Sequence, residues 1–248
     1  MPISREGLPS VADAARNNAA WCNAVCSSHG SPGELRASHW VTWAPAPPLY
    51  PNLVTVDPAV EPAMATIREL ERARPSASWA VKDSFDALPL EDLGFRLLFG
   101  AEWIARRPPP SRAGEAPAGG RWRRIDTEAG LAAWEEAWGE SRRRARIFLP
   151  ALLGRREIAI LASFGSAGTI RAGVIANRGE NAVGLSNFFA CGEERAALRA
   201  ECVDAAAAAF PSLPLVGYES GPDLADAKAV GFASIGPLRI WAAGPPTG

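Results

Sequence analysis

The apolar positions of the chain fall into short runs whose period changes from helical to extended. Val11, Ala15, Ala19, Cys22 and Cys26 recur at three- and four-residue spacing, with Trp21 and Val25 alongside, which predicts a helix over Val11–Cys26. The Ser-, Gly- and Pro-rich run from Ser27 to Gly33 ends it. His39 to Trp43 reads as a short strand, and Pro45, Pro47 and Pro48 then force an extended loop. Leu53 to Val56 is a second strand. Asp57 and Pro58 predict a helix start, Asp57 as the cap and Pro58 at the first helical position. Met64, Ile67 and Leu70 give that helix its apolar face, and Arg74-Pro75 ends it. Ser78 to Phe85 reads as a strand, Leu88 to Leu93 as a short helix and Phe95 to Arg106 as a long strand.

Arg107 to Gly120 is rich in proline, glycine and alanine and carries no apolar period, so it reads as a linker or exposed loop. It divides the chain into residues 1–107 and 122–248, with 108–121 between them. The second part opens with a strand at Trp122 to Ile125. Thr127 caps a helix whose stripe is Leu131, Trp134 and Trp138. Arg142 to Arg144 fall at its C-terminal end, where cations suit the backbone dipole; a solvated end or a phosphate site both fit them. Ile147 to Leu153 is a short apolar element. Glu157 to Phe164 and Thr169 to Asn177 are strands joined by a Gly-Ser-Ala-Gly turn. Arg178 to Asn181 turns the chain into the strand Val183 to Phe189. Glu193 to Phe210 is a helix with Leu198, Cys202, Ala205 and Ala209 on one face. Leu215 to Glu219 and Leu238 to Trp241 are strands with a short helix between them.

Composition narrows the function classes. The chain has 248 residues, enough for one large or two small domains, and 48% are apolar. A formal net charge of -1 gives no global field to attract nucleic acid or an anionic membrane, so neither partner is expected. No apolar run reaches the roughly 20 residues of a membrane span, and Met1 to Pro9 lacks the apolar stretch of a signal peptide. The expected location is therefore cytoplasmic. Four cysteines are too few for a disulfide scaffold, and two histidines argue against zinc or iron, so no metal is expected.

The order strand, hairpin, strand, helix, strand, short helix, strand from Thr169 to Trp241 resembles the second half of the GCN5-related N-acetyltransferase fold. The resemblance covers Trp122 to Ala243. It implies an α/β architecture: a mixed, mostly antiparallel sheet flanked by helices. The first part carries an echo of the second. Gly94-Phe95 and Gly231-Phe232 lie 137 positions apart, and the same offset superposes a strand, a short helix and a long strand on both sides. Two acetyltransferase-like halves, the first degenerate, account for that echo.

The resemblance further implies an acyl-coenzyme A dependent N-acyltransferase, with acetyl-coenzyme A as donor and a small amine as acceptor. Asn187, Phe188, Phe189 and Ala190 match the strand whose backbone pairs with the pantetheine arm. Gly192 and Arg195 match the diphosphate loop loosely. Ser220 stands where the family often has an asparagine. The tyrosine that serves the family as general acid falls on Ala227 here, and on Leu90 in the first half, so the proton donor is another group, with Tyr218, Glu219 and Cys191 nearest in sequence, and Glu219 at its strand end can act as the base for the amine. Glu193 and Glu194 put negative charge beside the diphosphate position, where one contact at about 4 Å repels by about 4 kcal/mol before relaxation. That charge keeps a second reading open: a catalytically inactive relative that binds a small ligand or a protein partner. A homodimer is among the assemblies open to such a chain.

Other clusters have simpler explanations. Cys191 precedes a helix N-terminus, where thiol pKa values fall, with no histidine nearby in sequence. Cys22, Cys26 and His29 form a C-x3-C-x2-H pattern that fits a buried helix face as readily as a metal. Asn17-Asn18 on the same helix can bind a substrate or form a solvated or sheet-edge face. The nine tryptophans are spread over the chain and serve core, interface or pocket.

Overall fold

The computed structural model describes residues 6–73, 78–108, 122–139, 146–192 and 194–243. Helix α1 spans Val11–Ser28 and opens with a reciprocal cap. The Ser10 hydroxyl accepts the Asp13 N–H at 3.1 Å and the Asp13 carboxylate accepts the Ser10 N–H at 2.9 Å, which satisfies two backbone donors at the helix start. Strands β1 (Glu34–Leu35), β2 (His39–Val41) and β3 (Leu53–Thr55) follow. Helix α2 spans Val60–Ala73. It starts later than Asp57-Pro58 predicts, because the Asp57 carboxylate accepts the Ala59 N–H at 2.9 Å in a local turn before the helix. Strand β4 is Trp79–Asp83 and β5 is Arg96–Arg106. The helix expected at Leu88 to Leu93 contracts to a 3-10 turn over Glu91–Leu93.

The second part contains β6 (Trp122–Arg124), α3 (Glu128–Trp138), β7 (Ile158–Phe164), β8 (Ile170–Arg178), β9 (Val183–Ala190), α4 (Arg195–Ala209), β10 (Leu215–Glu219), α5 (Gly221–Ala229) and β11 (Ala233–Ala243). Thr127 caps α3 as expected, its hydroxyl accepting the Gly130 N–H at 3.1 Å. Helix α4 starts two residues later than expected: Glu194 is its N-cap, and Glu193 lies outside the described residues. The linker from 109 to 120, Pro75 and Arg142 to Arg144 also lie outside them.

All eleven strands among the described residues form one sheet in the order β1-β2-β3-β4-β11-β5-β10-β9-β8-β7-β6. Pairing is antiparallel except at β3/β4 and β9/β10. Each of those two parallel pairs is bridged by a helix, α2 and α4 respectively, as a parallel pair requires a crossover. Side chains alternate between the two faces. Ile158, Ile160 and Ala162 of β7 join α1 and α3 on one face, while Ala159 and Leu161 join α4 on the other. The result is the mixed, mostly antiparallel sheet flanked by helices that the family resemblance implies.

Strands β5 and β11 hold the centre and lie 137 positions apart throughout. Exchanging the strands by that offset turns the pair Ala105↔Ala233 into Arg96↔Ala242 and Trp103↔Gly236 into Phe99↔Ile240, and leaves Ala101↔Leu238 unchanged. The two unpaired residues of this ladder, Leu98 and Ile235, exchange in the same way. The entries to both strands also match. Gly94 and Gly231 have φ of 78° and 94°, and the N–H of Phe95 and of Phe232 each donate, at 3.1 Å, to Leu90 and Ala227. Each long strand sits among strands of the other part: β5 pairs with β10 and β11, and β11 pairs with β4 and β5.

Candidate functional site

The site is built where β9 and β10 part. They pair only at Val183↔Leu215 and Gly184↔Val216 and then diverge. On its other side β9 departs from regular pairing as well. Phe189 faces Gly173 and Ser186 faces Ile175, so Asn187 and Phe188 together oppose the single residue Val174. Such a bulge takes a residue out of the ladder and turns the strand. Asn187 carries the bend at φ 57°, a left-handed conformation that asparagine tolerates better than most residues.

Between the diverging strands lies a cavity of 330 Å³. Leu185 to Phe188 of β9 and Gly217 to Glu219 of β10 form its walls. Helix α1 supplies Asn18, Trp21 and Cys22, and α4 supplies Arg199, Cys202 and Val203. The first part closes the equivalent gap between β3 and β4. There the Thr55 hydroxyl accepts the Ser84 N–H at 2.7 Å and donates to the Lys82 carbonyl at 3.5 Å, so one side chain bridges the strands.

On the α4 side the chemistry belongs to Arg199 and Glu219. Arg199 is 6% exposed; its Nη1 donates to Glu219 Oε1 at 2.9 Å, and it lies 3.7 Å from Asp223. Its guanidinium stacks 4.4 Å from the Phe188 ring centre, and its Nε has no partner among the described residues. Burial pushes the Glu219 carboxyl above its ordinary range, and the Arg199 charge opposes that rise. A carboxylate so placed suits a general base better than a free one.

On the α1 side Tyr218 packs edge-on against Trp103 at 5.4 Å, and the Lys82 ammonium stands 4.3 Å from the Tyr218 ring centre. Lys82 Nζ donates to Asn18 Oδ1 at 2.7 Å. Tyr50 lines the same wall, and burial holds its phenol well above the ordinary value. The chain has two tyrosines, and both face this cavity.

Of the residues singled out by sequence, Asn187, Phe188, Tyr218 and Glu219 meet at the cavity. Phe189 points the opposite way, into the core beneath α3, 5.1 Å from Trp134. Ala190 ends β9 paired with Ala172. Gly192 is exposed with φ 83°, and exposed Ser220 caps α5 without a side-chain hydrogen bond. Arg195 is taken up by ion pairs to Asp223 and, at 3.5 Å, to Asp226. Glu194 is ion-paired with Arg171. Glu194 and Arg195 are therefore both paired within the protein.

Asn17 is bonded to the β8–β9 hairpin in the interior of the sheet, and Asn18 faces the cavity. Cys22 and Cys26 are buried, with burial raising both thiols, Cys26 to about 12, and His29 bonds the Ile147 carbonyl at 2.8 Å. No group of metal-ligating side chains forms among the described residues. No described helix is long and apolar enough to cross a membrane.

Sequence reasoning missed Tyr50, Lys82 and Arg199. Arg199 lies on α4 in phase with Cys202, a cation inside a buried stripe. Lys82 interrupts the apolar strand Trp79-Ala80-Val81 in the same way. A lone cation in an apolar phase was the available signal.

No protein-family profile matches the sequence, and no curated protein does. Solved structures do match. A GCN5-related N-acetyltransferase from Kribbella flavida is 17% identical, with a TM-score of 0.62 over 95% of this chain and 96% of that one. Another from Sphaerobacter thermophilus is 12% identical, with a TM-score of 0.54 over 95% and 94%. Saccharomyces cerevisiae N-myristoyltransferase with bound myristoyl-CoA is 11% identical, with a TM-score of 0.50 over 73% of this chain and 56% of that one. The chain has the GCN5-related N-acetyltransferase fold.

Proposed function

We propose that the protein is an acyl-coenzyme A dependent N-acyltransferase acting on a small amine, with acetyl-coenzyme A as the donor. The observation that carries this is the parting of β9 and β10 around a 330 Å³ cavity, with the Asn187–Phe188 bulge on its wall. A parallel pair opened in this way presents strand backbone to an extended ligand, and a pantetheine arm carries amides that bond such an edge. The fold relatives include an enzyme solved with an acyl-CoA.

The backbone of Asn187 and Phe188 holds the donor, and Gly192 and Arg195 border the position of its diphosphate. The thioester supplies an activated acyl carbon. Glu219 takes a proton from the attacking amine as its nitrogen bonds the acyl carbon. Tyr218 gives a proton to the sulfur as the carbon–sulfur bond breaks. The products are an amide and the free thiol, and solvent restores both side chains. The same pattern in both parts of the chain, down to the exchanged ladder of β5 and β11, supports a tandem origin with one working half.

Glu194, Asp223 and Asp226 favour a second reading, a non-catalytic binding protein, because they already neutralise Arg171 and Arg195. Titration calorimetry with acetyl-coenzyme A separates the two. Micromolar binding, with turnover lost in Glu219→Gln, supports the enzyme. Absence of heat at millimolar ligand overturns it.

A further inference from the structure

Lys82 is a buried cation without an anion among the described residues. It is 4% exposed, and no described carboxylate pairs with it. Two strands separate β4 from β10 in the sheet, so Lys82 and Tyr218 meet only over the α1 face, at the cavity wall. Its contacts are one amide oxygen, Asn18 Oδ1 at 2.7 Å, and one aromatic face. Both suit an ammonium, since the oxygen only accepts and the ring presents its negative face. Neither supplies the charge that a buried cation ordinarily has beside it.

From the charge balance of this wall we infer that the acceptor amine carries a carboxylate, as amino acids do, and that Lys82 binds it. The inference rests on the acyltransferase reading for the amine. The carboxylate follows from Lys82 alone. A single flexible ammonium matches a monoanion; a phosphate dianion would call for a second cation, and Arg199, the other buried cation at the cavity, is already bonded to Glu219. Asn18 completes the cradle by fixing the ammonium. Trp21, Phe99 and Tyr218 leave an apolar surround for the body of the acceptor.

The test compares the standard amino acids with their carboxamides as acceptors and as ligands in calorimetry. The proteins are the wild type, Lys82→Met, Lys82→Arg and Asn18→Asp. The free acid is expected to beat its amide by about tenfold or more in KM and Kd, which is about 1.4 kcal/mol. Lys82→Met should erase that preference and Lys82→Arg retain part of it. Asn18→Asp should also erase it, by placing a carboxylate of the protein beside Lys82. Equal binding of acids and amides by the wild type, or a preference that survives Lys82→Met, overturns the inference. Acetyl-coenzyme A binding is measured on the same samples. If it is intact without an acid preference, only this inference fails; if it is absent while acids still bind, only the acyltransferase reading fails.

Discussion

Asn17 and Gly184 are fitted to each other so closely that a Cβ on Gly184 would lie 1.9 Å from Asn17 Oδ1. The Asn17 amide donates to the carbonyls of Asn177 and Ala182 at 3.1 and 3.0 Å, and Asn177 Nδ2 returns a bond to Asn17 Oδ1 at 2.9 Å. This buried exchange ties α1 to the β8–β9 hairpin at the root of the cavity. Gly184→Ala should therefore destabilise the protein by about 1–3 kcal/mol. Asn17→Ala should cost a similar amount by orphaning buried carbonyls. The double variant should cost less than the two together, because the closest clash goes with the Asn17 amide and only the one with Asn177 Oδ1, at 2.6 Å, remains. Denaturant unfolding of the four proteins measures the coupling, and strict additivity would refute the fitted pair.

The pH dependence of turnover should report Glu219. Its folded carboxyl titrates above the ordinary range, chiefly through burial, so the rate should rise with pH and level off only above that range. Arg199 restrains the shift, and Arg199→Leu should move the acid limb to higher pH. Stability runs the other way. The folded state holds the proton longer than the unfolded one, so this group's contribution to stability falls as pH rises from the unfolded value of about 4.5 through the folded one. Glu219→Gln should flatten that fall in thermal unfolding. A pH–rate profile unchanged by Arg199→Leu would remove Glu219 from the proton path.

The Arg171–Glu194 ion pair competes with any diphosphate at the mouth of α4. Glu194 is 66% exposed on its side chain, so the pair is worth at most about 1 kcal/mol. Glu194→Gln should tighten coenzyme A up to about fivefold at low salt, and added salt should shrink the gain. Calorimetry of both proteins at two ionic strengths reads this directly. Weaker binding in the variant would mean that Glu194 helps to shape the loop.

The exchanged strands predict what happens when the chain is divided between 108 and 122. A fragment of residues 122–248 lacks β4 and β5, so β10 loses one neighbour and β11 both of its own, and three strand edges stand open. Alone it should associate or precipitate, while co-expression with residues 1–108 should restore a 1:1 complex. Light scattering after size exclusion distinguishes these. A stable, monomeric 122–248 fragment would show that β5 is dispensable to the second part.

Most elements were legible along the chain because their signals are local. The period of Val11, Ala15, Ala19 and Cys22, the Thr127 cap and the turn glycines 94 and 231 each depend on neighbours a few residues away. The misplaced start of α2 shows the limit of that logic: Asp57-Pro58 has the right composition for a cap, but the Asp57 carboxylate is spent on Ala59, and the helix begins two residues later than Pro58, at Val60. The bulge at Asn187 left no period to detect, since it is defined by the facing residue Val174.

What the sequence by itself determined was therefore the inventory: which segments are strands and helices, the 137-residue echo, an element order that resembles a known fold, and Tyr218 and Glu219 as the polar end of one strand. Tertiary structure alone decided that β5 and β11 trade places, that the β3/β4 gap is closed by Thr55 while the β9/β10 gap stays open, and that Lys82 meets Tyr218. The physical reason is that helix and strand formation follow hydrogen bonds and side-chain periods within short windows. The meeting of residues 136 positions apart depends instead on which sheet edges are free to pair and how the intervening strands cross.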